Sequence, residues 1–182
     1  MSRLENGAKG IIGPMILGNV KTLTAVDQER IATWLTKTAL IYDGMDKGEV
    51  FYDRLDRHQF WKVPSPFSDS YVWLGNYSES NSLRGSAIHQ TLGVPLSSGN
   101  SCKMHILTMN IGHLVAQIAS VKRLAPGDLA KKIEFPMKGP HLGDALVQVW
   151  PANLIDVDWP PVLSLNSEQL KALAFRFGGE KV

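Results

Sequence analysis

The first forty residues carry their apolar side chains at helical spacing. Leu4, Ala8, Ile11, Ile12 and Met15 recur every three or four positions, which places them on one face of an amphipathic helix. Pro14 lies inside that run, and its ring meets the carbonyl four residues back, so a kink or an end is expected there. Gly18 and Asn19 suit a C-terminal cap. A second helix is predicted from Thr24, whose hydroxyl can cap the first turn while Asp27 answers it. Ile31, Trp34, Leu35, Thr38, Ala39 and Tyr42 form its stripe, with Glu29, Arg30, Thr33 and Lys37 facing away. A third, shorter helix is expected over Glu49 to Phe60.

After "VPSPF" the period changes to two. "DSYVWLGNY" and "LRGSAIHQTLGV" read as strands. "KMHILTMNIGHLVAQIASV" is too long for one flat strand, and Gly112 is the natural place for a bulge or bend. "KKIEFP" and "ALVQVWP" continue the sheet, and Asn166 with Gln169 caps a last helix, "SEQLKALAFRF". Helices, then strands, then one helix indicate an α+β fold: two to three N-terminal helices on a mostly antiparallel sheet, with a C-terminal helix. At 182 residues one core suffices. We therefore expect a single domain over 1–182, helical through 62, β-rich over 63–163, and closed by a helix and tail from 164.

Composition adds exclusions. A hydrophobic fraction of 44% with 20% charged residues is that of a folded domain. The net charge of +2 is too small to argue nucleic acid on its own. A single cysteine excludes a disulfide within the chain and any cysteine-rich zinc site built from it alone. "IIGPMIL" is too short to span a bilayer, so no membrane contact is expected and a cytoplasmic location is the default.

Candidate chemistry is sparse. "DGMDKGEVFYD" fails as a calcium loop, because Met45 and Lys47 occupy positions that need oxygen ligands; a solvated turn is the expectation. Of the five histidines (His58, His89, His105, His113 and His141), none forms an i, i+4 pair. In one extended strand His105 and His113 would share a face about 26 Å apart. Cys102 could form a thiolate pair with His105 or His89, so Cys102, His105 and His113 are the catalytic candidates, each weighed against a structural role. The segment "VKRLAPGDLAKKIEFPMKG" offers Lys122, Arg123, Lys131, Lys132 and Lys138 as phosphate contacts, or as a solvated connection. Trp34 and Trp73 lie on apolar stripes and are expected in the core.

Several phrases occur in a specific order: "MSRLE" at the start, "PMILG" from Pro14, "LTAVDQERIATWLTKTALI" from Leu23, "VWLGNY" from Val72, "NIGHLVAQI" from Asn110, "QVWP" from Gln148 and "WPP" from Trp159. In these the chain resembles the region downstream of the zinc-binding nuclease motif in bacterial and phage HNH-endonuclease-like proteins. The resemblance implies that the paired cysteines, the water-activating histidine and the zinc or other divalent metal belong to a preceding segment. On that expectation this chain holds no cofactor and is an internal start or a cut piece of such a polypeptide. No catalytic residue of the family carries over, because no position matches. The expected role is a non-catalytic accessory domain acting in DNA transactions or in conflict between phage and host. Two rivals are a small hydrolase using Cys102 or a serine with a histidine, and a protein-interaction module. The latter would expose Ile11, Ile12 and Met15 on the first helix to a protein partner.

Overall fold

The computed structural model describes residues 3–45, 50–80, 83–95, 101–123 and 144–177. Helix α1 (Arg3–Ile16) runs two residues past Pro14, rather than ending there. It closes where Gly18 takes a φ of +84°: the Asn19 amide donates to the Pro14 carbonyl at 3.0 Å and that of Gly18 to Met15 at 3.0 Å. That pair is a Schellman cap, so Gly18 and Asn19 terminate the helix as their sequence suggested. Strand β1 (Lys21–Leu23) leads into α2 (Ala25–Asp43), which opens on the Thr24–Asp27 capping box.

The two faces of α2 are less distinct than the sequence pattern implied. Ile31, Leu35 and Ala39 are buried, but so is Thr33, and Lys37 pairs with Glu5 of α1. The first two helices pack side by side, so Lys37 lies at an interhelical seam, while Glu29 and Arg30 face solvent as expected. Helix α3 (Arg54–Lys62) starts five residues later than expected, because Asp53 and Asp56 form a capping box that sets its first turn. Phe51 and Tyr52, read as helical, precede the cap and are buried.

The sheet follows. Strands β2 (Ser70–Asn76), β3 (Gly85–Pro95), β4 (Ser101–Ile111), β5 (Leu114–Arg123) and β6 (Leu146–Trp150) lie in the order β3-β4-β5-β2-β6, with every neighbouring pair antiparallel. Strand β7 (Val157–Trp159) pairs with β1 in a separate two-stranded sheet. Gly112 is neither bulge nor bend within one strand. With His113 it forms the two-residue turn of the β4–β5 hairpin, at a φ of +54°; the twist of paired strands favours such a turn, and it needs positive φ. The "KKIEFP" strand lies outside the described residues.

Side chains alternate across this sheet and supply two cores. Val72, Leu74, Leu107, Ala116 and Ile118 face α1, α2 and α3, where Ile11, Ile12, Met15, Ile31 and Leu35 meet them. Trp73, Met104, Ile106, Val115 and Ala119 face the other way, toward Leu165 and helix α4 (Ser167–Ala174). The Asn166–Gln169 capping box opens α4 as predicted. This is the α+β arrangement read from the element order. The apolar stripe of α1 is spent within it: Ile11, Ile12 and Met15 are all buried, so the exposed patch that would mark a partner-binding first helix is not there.

Gln28 fixes the region after β6. It is fully buried, donates through Nε2 to the carbonyls of Leu23 and Ile155 (both 3.1 Å), and accepts the Asn153 amide at 2.9 Å. A buried amide satisfied on both its ends holds that loop to the start of α2.

Candidate functional site

The three catalytic candidates occupy three separate places. Along β4, Cys102, Met104 and Ile106 point to the α4 side, whereas Lys103, His105 and Leu107 point to the helical side. Cys102 and His105 are therefore divided by the sheet itself. His89 lies on the helical side with His105, their ring centroids 5.8 Å apart, so Cys102 reaches neither imidazole. His113 sits in the hairpin turn, where its Nδ1 lies 3.0 Å from the Tyr77 carbonyl and its ring packs on Gly18. A carbonyl only accepts, so Nδ1 carries the proton and His113 anchors the turn. His58 is exposed on α3, and His141 lies outside the described residues.

His105 is buried among rings, 5.7 Å from Phe51 and 5.3 Å from Tyr52 between centroids. The Tyr52 hydroxyl donates to Ser120 Oγ at 2.8 Å, and Ser120 and Ser70 share a further hydrogen bond of 2.8 Å. Burial raises the Tyr52 phenol well above its ordinary 10.0. The folded state thus favours the neutral phenol, and this contribution, complete below pH 10, is lost as pH climbs toward the folded-state value. Alkaline titration of stability should show a decline above pH 10 that Tyr52→Phe flattens, with the variant about 1 kcal/mol less stable at pH 7 for its lost hydrogen bond. An unchanged alkaline slope in the variant would remove Tyr52 as the cause.

The basic segment has one described cation of the expected five, and it is engaged. Lys122 bonds Asp53 Oδ2 at 2.9 Å, pairs with Asp56, and lies over the Phe51 ring at 5.5 Å. Partial burial pulls its pKa down, but the bonds to Asp56 and Asp53 outweigh this and hold the ammonium above its ordinary range. Lys122 thus ties the end of β5 to the cap of α3. The Arg123 side chain, Lys131, Lys132 and Lys138 lie outside the described residues.

A second basic side chain went unnoticed in the sequence. Arg176, after α4, is buried between the Trp73 and Phe177 rings, 4.4 and 4.5 Å from their centroids. Desolvation lowers it to about 10, which leaves it charged at neutral pH. Trp73 is in the core as expected, with the added role of one wall of this cation–π stack. Trp34 is only partly buried against the other core.

A cleft of about 680 Å³ lies on the α4 side of the sheet. Leu173 and Ala174 pack on the sheet interior, leaving the edge strand β3 only partly covered; Ile88 remains 43% exposed in the gap. Tyr77, Glu79 and Ser167 close one end. The Tyr77 hydroxyl and Ser167 Oγ lie 2.8 Å apart, and Glu79 Oε2 accepts from Tyr77 at 3.3 Å, from the Ser167 amide at 3.2 Å, and from Ser167 Oγ. The Ser167 hydroxyl, chief among these donors, holds the Glu79 carboxyl below its ordinary range. Across the cleft, Ser86 Oγ donates to Asn110 Oδ1 at 2.6 Å. No element of this cluster has a sequence signature, because Tyr77, Glu79, Asn110 and Ser167 come from separate segments. The Asn166 cap was the only local clue.

Among the described residues no three His, Cys, Asp or Glu side chains are grouped to hold a metal ion. Compared with known proteins, the chain matches no family model and no curated sequence.

Proposed function

We propose that the chain is a supporting domain of an HNH-endonuclease-like protein, acting with nucleic acid without supplying the cleavage chemistry. Cleavage by such a nuclease needs a metal and a histidine base on one structural unit. Five of the phrases that carry the resemblance fall on scaffold joints. "PMILG" holds the α1 cap, "LTAVDQERIATWLTKTALI" supplies β1 and α2, and "NIGHLVAQI" contains the Gly112–His113 turn docked on α1. "VWLGNY" and "WPP" meet where Trp159 Nε1 donates to the Gly75 carbonyl at 3.2 Å. Likeness that includes such joints is what a shared support would retain, and it is the observation that carries this reading.

The nucleic-acid role is tested by titrating duplex DNA at about 50 and 200 mM salt. Binding at low salt should weaken steeply at the higher salt, and Lys131→Ala, Lys132→Ala, Lys138→Ala together should weaken it at least about tenfold. Lys122→Ala should do less, since its ammonium is already held by two carboxylates. No binding at the lower salt would end the DNA role.

A further inference from the structure

The cleft beside α4 presents three polar groups that the fold does not use up, and it orients two of them. Glu79 has one oxygen, Oε2, fixed by three donors from Tyr77 and Ser167; no described residue bonds its Oε1. Asn110 accepts from Ser86 through Oδ1, which sets the amide plane and leaves Nδ2 as a donor. Lys171, on α4, makes no ion pair with a described residue and borders the same space. Between them lies an apolar surface of Ile88, Leu170 and Ala174.

We propose that this cleft binds a nucleotide whose base pairs an exocyclic amine with a ring-nitrogen acceptor on its Watson–Crick edge, adenine or cytosine. Those bases show an N–H donor beside a ring-nitrogen acceptor, the complement of a carboxylate oxygen and an amide N–H. The planar base covers Ile88 and Leu170, and the phosphate lies toward Lys171. The volume suits a ligand of nucleotide size and exceeds what a free amino acid needs. A pocket with an apolar floor and a few convergent polar groups is the usual form of a small-molecule site. The inference goes beyond the duplex reading and does not use Lys131, Lys132 or Lys138, so either can fail alone.

The test is calorimetric titration of the whole chain with AMP, CMP, UMP, inorganic phosphate, and short oligo-dA and oligo-dT, the oligomers separating a free nucleotide from one within a single strand. AMP and CMP should bind at least about tenfold tighter than UMP, because UMP offers an oxygen where Glu79 needs a donor. Glu79→Gln should abolish that preference while leaving thermal unfolding in place, and Lys171→Ala should weaken AMP at least about fivefold. Ile88→Asp, which puts a charge on the floor, should abolish binding of every nucleotide. Equal affinity for AMP and UMP, inorganic phosphate binding as tightly as AMP, or no saturable binding up to about 10 mM would each overturn the proposal.

Discussion

Asp43→Ala is expected to lower stability by about 4 kcal/mol, the largest loss predicted for any single side chain of this fold. The carboxylate is buried at the end of α2 and accepts the amides of Phe51 and Tyr52 at 2.8 and 3.1 Å. It also receives Arg57 Nη2 at 2.7 Å, while the same guanidinium donates through Nη1 to the Leu40 carbonyl at 2.7 Å and through Nε to Tyr52 at 3.0 Å. One acid and one base thus join the last turn of α2, the Phe51–Tyr52 link and the first turn of α3. Alanine would strand two buried amides and leave a partly buried cation without its counter-charge, and each loss costs more than a surface ion pair would. Asp43→Asn keeps the shape and an acceptor oxygen, and should lose about half as much. The measurement is a denaturant midpoint at constant m-value. A loss under 1 kcal/mol in Asp43→Ala would mean that water satisfies those amides and that the junction is looser than its geometry implies.

Asp43 also marks where sequence reading stops. The acidic turn after α2 has the composition of a solvated loop. Nothing local distinguishes an aspartate that turns inward to two amides eight and nine residues ahead. The same holds for Gln28, which sits in a first helical turn that looks polar but reaches a loop more than a hundred residues away. Features with a period or a cap were legible: the α1 and α2 stripes, three of the helix boundaries, the change to strand, and the α+β order. Those depend on neighbours within four residues. Glu79 and Lys171 were not legible as lining one cleft, since the path of the chain across the sheet brings them there. Cys102 and His105 failed in the opposite way. Three residues apart they look adjacent, but an odd separation in a strand puts them on opposite faces.

Gly112→Ala is the second substitution expected to cost heavily, about 3 kcal/mol, or roughly 10 °C in melting temperature for a chain of this size. Two terms combine. A residue with a β-carbon held at a φ of +54° loses about 1 kcal/mol. Its new Cβ would also stand 2.4 Å from the Ile16 carbonyl oxygen and 3.0 Å from the Ile16 Cγ2. That oxygen is fixed, because it accepts the His113 amide at 3.0 Å, and the turn is further tied by Tyr77, whose amide donates to the His113 carbonyl at 2.8 Å. Relief therefore requires the hairpin to leave the end of α1, taking these bonds with it. Gly112→Asn separates the two terms, since asparagine tolerates positive φ but brings the same Cβ. It should recover no more than about 1 kcal/mol of the alanine loss. If asparagine restored full stability, the contact with Ile16 would carry no weight and the backbone angle alone would explain the glycine. If alanine itself were neutral, the docking of the β4–β5 turn onto α1 would not be the joint on which the helical layer and the sheet depend.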